Sequence, residues 1–193
     1  VIDGFDVLVM AFTASAVSKE WGLSGSQIGL LLSSGLFGMA AGSLLLAPQA
    51  DKFGRKPVIM MSLAIVSIGM IFSGLSTSAL QLGILRFITG IGIGGILASS
   101  NVLTSEYSSA KWRSLTISLQ SAGYGLGATG GGLVSMHLIN AYGWQSVFLF
   151  GCVLSVVFTL VVCLWLPESM EFQSSKQRHT ALTPIDQLPR KLN

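Results

Sequence analysis

Long apolar runs separated by short polar clusters organise this chain. No Asp, Glu, Lys or Arg occurs in 21–50 (30 residues), 57–85 (29), 87–105 (19) or 114–167 (54). A helix crosses the hydrocarbon of a bilayer with about 20 residues, so the longest run holds two helices and a hairpin. The runs do not alternate apolar and polar positions over about ten residues, as the strands of a membrane barrel do. They predict six helical spans, over 1–18, 26–50, 57–76, 80–104, 114–136 and 144–166. Turn chemistry falls between them, at Trp21-Gly22-Leu23-Ser24-Gly25, Asp51-Lys52-Phe53-Gly54, Ser76-Thr77-Ser78 and Asn140-Ala141-Tyr142-Gly143.

Composition agrees with a helical membrane protein that crosses the bilayer several times. Only 10% of the residues are charged and 51% are hydrophobic, where soluble domains carry about 25% charged residues. The basic residues are segregated. Lys52, Arg55, Lys56, Lys111, Arg113, Lys176, Arg178, Arg190 and Lys191 fall in one set of loops, and Lys19 alone falls in the opposite set. Basic loops stay in the cytoplasm, so both ends of this chain are expected on the cytoplasmic side of an inner membrane. Trp21 and Trp144 then mark the outer interface, and Trp112 and Trp165 the inner one. The pI near 9.1 reflects this asymmetry and implies no nucleic-acid partner.

Charges inside the apolar runs are the candidate chemistry. Asp3 and Asp6 head the first span, and Arg86 lies within the fourth. An ionisable side chain at the centre of a span costs roughly 2.5–3.5 kcal/mol on insertion scales. The i, i+3 spacing puts both carboxyls on one helix face, which must then look into a polar cavity. These acids suit proton or solute handling, with a structural hydrogen-bonded pair as the alternative. Arg86 suits capture of a carboxylate, with an interhelical ion pair as the alternative. The first span is short for a crossing, so helix is expected upstream of Val1 and the chain reads as a fragment.

Glycine pairs four apart, Gly38/Gly42, Gly90/Gly94 and Gly123/Gly127, let helix backbones approach closely. The same smooth faces would also allow sliding during a conformational cycle. No nucleotide loop, nucleophile elbow or Cys/His metal cluster is present; no enzyme, cofactor or metal is expected. Cys152 and Cys163 lie eleven residues apart on one span, too far to pair. Residues 167–193 read as a polar cytoplasmic linker after a bundle over 1–166.

The stretch from Ala47 to Pro57, with Asp51-Lys52-Phe53-Gly54-Arg55-Lys56, closely resembles the major facilitator superfamily signature G-x-x-x-D-R/K-x-G-R-R/K. Ala47 stands at its first glycine. Leu85-Arg86-Phe87-Ile88-Thr89-Gly90 is similar to that family's fourth helix. Thr104-Ser105-Glu106-Tyr107 with Arg113 is similar to its cytoplasmic loop, and Leu166-Pro167-Glu168-Ser169 to the end of its sixth helix. Asp3-Gly4-Phe5-Asp6 resembles the first helix of the aromatic acid:proton symporters. The resemblance implies an all-α membrane protein: six transmembrane helices, built as two inverted three-helix repeats, forming the N-terminal half of a twelve-helix carrier. It implies proton-coupled uptake of a small organic anion, an aromatic carboxylate, with Asp3, Asp6 and Arg86 at the site. It implies a cytoplasmic gating network of Asp51, Gly54, Arg55, Lys56, Glu106 and Arg113. The partners implied are the lipid bilayer and a C-terminal half. A sugar or metabolite symporter, a drug exporter, or a membrane receptor that transports nothing are the alternatives.

Overall fold

The computed structural model describes residues 2–109 and 111–165. The side chains of Asp3 and Glu106, the Leu166–Ser169 stretch and the expected linker over 167–193 lie outside the described residues. Six helices fill the rest: α1 (Ile2–Trp21), α2 (Gly25–Phe53), α3 (Arg55–Gly74), α4 (Ala79–Tyr107), α5 (Arg113–Tyr142) and α6 (Gln145–Trp165).

Their limits follow local chemistry. Ser24 caps α2 in a capping box, its backbone N–H donating to Gln27 Oε1 (2.9 Å) while the Gln27 N–H donates to Ser24 Oγ (3.4 Å). Ser78 caps α4 through the Gln81 N–H (3.3 Å). Gly54, at φ +103°, is the single residue between α2 and α3, and Pro57 sits in the first turn of α3, where its missing N–H costs nothing. The fifth helix continues to Tyr142, six residues beyond the expected 136. Nothing in Met136–Ala141 breaks a helix, and Gly143, at φ +85°, is the first residue that does.

Four helices, α2, α3, α4 and α6, are long and apolar enough to cross a membrane. The first and fifth are less apolar than expected of spans. Asp3, Asp6, Lys19 and Glu20 lower α1, and a glycine-rich, Gln- and Ser-bearing sequence lowers α5.

Packing runs in pairs: α2 along α4, α4 along α3, α3 along α6, and α1 along α5. The α2–α4 seam is made by glycine. A Cβ at Gly38 or Gly42 would overlap the carbonyls of Phe87 or Ile91, and one at Gly90 or Gly94 those of Gly35 or Met39. Gly4 of α1 lies on the Tyr124 carbonyl of α5 in the same way. With no hydrophobic driving force between helices in lipid, this backbone proximity supplies the contact. The core between the seams holds Phe5, Val9, Val66, Met70, Leu82, Ile93, Val147 and Phe148. By contrast α2 and α5 keep much of their length exposed, including Leu30, Phe37, Leu44, Leu119, Leu126 and Leu133.

Candidate functional site

Helical periodicity carries two charges into the interior. On α1, Asp6, Met10, Thr13 and Val17 share one face, and all are buried. On α4, Leu82, Arg86, Thr89, Ile93 and Ile96 do the same. The spacings of three and four residues keep each set on one side of its helix, so apolar neighbours force the polar group inward. Asp6 is 3% exposed and Arg86 4%.

Both charges line one small cavity, closed by Met10 of α1, Leu31 and Met39 of α2, and Ile93 of α4. The cavity measures about 30 Å³, room for a water or two at about 10–15 Å³ each. Across it the Asp6 carboxylate acts electrostatically on Arg86. The guanidinium is gripped from behind. Its Nη2 donates to Ser73 Oγ (2.7 Å) and to Met70 Sδ (3.5 Å), and its Cζ lies 4.8 Å from the centroid of the Phe148 ring. Nε finds no acceptor among the described residues. Asp3 stands three residues before Asp6 on the same helix.

At the far end of the bundle, Arg55 Nη2 meets Asp51 Oδ1 at 2.6 Å across Gly54. Lys56 Nζ donates to the Cys163 carbonyl (3.0 Å), at the C-terminal end of α6, where a cation complements the helix dipole. The structure thus brings Asp51, Gly54, Arg55 and Lys56 together. Arg113 is exposed at the first residue of α5 and makes no ion pair among the described residues. Glu106 belongs to the last turn of α4.

Several polar contacts have no local signature in the sequence. Gln120 Nε2 of α5 donates to Asn101 Oδ1 of α4 (2.8 Å). Trp144 corrects an expectation: it is 2% exposed rather than turned to lipid as an interfacial marker. Its Nε1–H donates to Glu20 Oε2 (2.6 Å), and its ring meets Trp21 and Phe148 edge-on at 5.3 and 5.7 Å. A tryptophan at each of two helix ends was the available signal, because partnered ends bring such residues together. Trp112 and Trp165 are 55% and 83% exposed.

Comparison with known proteins places this geometry. The family model of the Major Facilitator Superfamily matches residues 1–189. The 4-hydroxybenzoate transporter PcaK of Pseudomonas putida is 38% identical over 189 residues, covering 95% of this chain and 42% of that protein. A gallate transporter of the same organism is 37% identical over 177 residues, covering 91% and 39%. Among solved structures, the xylose transporter XylE from E. coli, partially occluded and inward open, matches with a TM-score of 0.78 at 20% identity. It covers 91% of this chain and 47% of that one. The chain spans about two fifths of the length of the curated relatives it matches.

Proposed function

This chain belongs to the Major Facilitator Superfamily, a family of transporters rather than enzymes, and from that membership we propose that it forms the first six-helix half of a proton-coupled carrier of aromatic carboxylates. The observation that carries the proposal is the buried acid and buried guanidinium on α1 and α4 around one cavity. The 4-hydroxybenzoate and gallate transporters among its relatives support the substrate class.

In this reading Asp6, with Asp3 beside it in sequence, takes up and releases the coupled proton. Arg86 compensates the carboxylate that remains after release, and its charge attracts the carboxylate of the substrate from the cavity side. A cavity of about 30 Å³ admits water and a proton but no aromatic ring. The substrate therefore binds at the open edge of the half, where the exposed faces of α2 and α5 meet a second half, as in carriers whose site lies at the interface of repeats. The packing supports two inverted repeats, α1–α3 and α4–α6. Exchanging α1 with α4 and α2 with α5 turns the α2–α4 seam into the α5–α1 seam. In this arrangement α1 and α5 span the membrane with the other four, their lower hydropathy matched to a polar cavity. The Asp51–Arg55 pair, with Lys56, Glu106 and Arg113, latches the cytoplasmic side and opens as the halves rock. Exposed ion pairs are worth about 0–1 kcal/mol, weak enough to break in each cycle.

The test is uptake of labelled 4-hydroxybenzoate into proteoliposomes by the full-length carrier under an inward proton gradient. Asp6→Asn keeps the volume and removes the titrating proton. We expect it, and Asp3→Asn, to lose accumulation against a gradient while exchange of preloaded substrate persists. Wild-type accumulation by Asp6→Asn removes this residue from the coupling mechanism.

A further inference from the structure

Arg86 faces the cavity on one side and is held on the other by helices that line no part of that cavity. The grip has three contacts: Ser73 Oγ, Met70 Sδ at 3.5 Å and the Phe148 ring. Ser73 of α3 is fully buried, and its hydroxyl hydrogen donates to the Gly69 carbonyl of its own helix (2.6 Å). A serine hydroxyl has one hydrogen and two lone pairs. With the hydrogen committed, a lone pair points at Arg86 Nη2, 2.7 Å away. Ser76 Oγ donates to the Ser73 carbonyl (2.8 Å) and fixes that last turn. On α6, the fully buried Phe148 presents its ring to the guanidinium at 4.8 Å, an attraction that desolvation strengthens. Phe148 is itself braced edge-on by Trp144 at 89°, and Trp144 is tied to Glu20 of α1.

We propose that Ser73 and Phe148 are positioning residues for the site cation. They fix where the Arg86 charge stands relative to the cavity, so affinity for an organic anion is set in part by α3 and α6. The inference rests on Arg86 being the cation of the site proposed above, and it goes beyond that reading by assigning the two residues that aim it. A purely structural role would lower the amount of folded carrier without changing its affinity, which separates the two cases.

The experiment measures KM and Vmax for labelled 4-hydroxybenzoate uptake by the full-length carrier in proteoliposomes, with carrier amount quantified. Ser73→Ala and Phe148→Leu are each expected to raise KM about tenfold, the scale of one lost hydrogen bond to a charged group, with Vmax per carrier little changed. Ser73→Thr keeps the hydroxyl and is expected to retain the parent KM. Arg86→Lys is expected to raise KM, and adding Ser73→Ala to it to raise KM no further, because both act through one contact. Parent-like KM in Ser73→Ala and Phe148→Leu beside a raised KM in Arg86→Lys overturns the positioning role and leaves the site reading standing. Parent-like KM in all three overturns both. A fall in carrier amount or Vmax at constant KM assigns Ser73 and Phe148 to packing and also overturns the proposal. If Ser73→Ala fails to reach the membrane, Phe148→Leu and Ser73→Thr decide the question by the same criteria.

Discussion

Gly38 and Gly29 belong to the same helix, yet a side chain would meet very different surroundings at each. At Gly38 a Cβ runs into the Phe87 carbonyl, whereas nothing lies within 4 Å of one at Gly29. Gly38→Val should therefore push α2 off α4 and destabilise the bundle by about 1–3 kcal/mol or more. Gly29→Ala should be neutral or slightly stabilising. Thermal unfolding of the purified carrier followed by size-exclusion chromatography checks this, and equal midpoints for the two variants would mean the seam is not closely packed in the membrane. The glycine spacing was legible because i, i+4 repeats lie within one helix. Asp6 and Arg86 were legible because a charge stands out in an apolar run. Ser73 and Phe148 were not, and neither was the burial of Trp144. A serine or an aromatic residue in a membrane helix resembles filler until the helix opposite it is known, and that information is spread over residues 13 to 124 positions away.

All six helices were visible as elements, since charge clusters, glycine turns or, between α3 and α4, the Ser76-Thr77-Ser78 cluster interrupt the runs at every junction. The extent of α5 was not, because hydropathy fades along a glycine- and serine-rich helix before its hydrogen bonding ends. Whether α1 and α5 cross the membrane is a question about what they face, which hydropathy does not report. Topology tests it at the level of elements. With Cys152 and Cys163 replaced by Ser, a cysteine at exposed Ser24, between α1 and α2, should react with an impermeant thiol reagent added outside intact cells. One at exposed Lys111, between α4 and α5, should react only after permeabilisation. Because an odd number of crossings separates those positions if α2, α3 and α4 all span, labelling of both from outside would rule out the proposed orientation and crossing pattern together.

The whole bundle is lopsided in what it buries. The third helix and the N-terminal half of α6 enclose a core, while α2 and α5 carry apolar side chains with nothing described against them. A second half laid across α2 and α5 would cover that surface and complete the wall of the site. Residues 1–193 reconstituted alone, with the same gradient and labelled acid, should accordingly show no saturable uptake above empty vesicles. Saturable, gradient-dependent uptake would mean that copies of this bundle rebuild the missing wall themselves. The proposed partition into two repeats was legible only through the family resemblance, since no obvious sequence repeat marks it.

The junction at Gly54 has a mechanical consequence. One residue separates α2 from α3, and the Asp51–Arg55 pair braces it from the side. Such an elbow has no length of chain in which to absorb displacement, so a torque on α2 arrives at α3 almost undiminished. The connection from α4 to α5, residues 108–112, is the longest of the five, and it falls inside the second three-helix unit. Load applied along α2 is therefore carried rigidly through the first unit as far as the Arg86 grip on α3, and the longest stretch of chain able to absorb displacement lies beyond it, between α4 and α5.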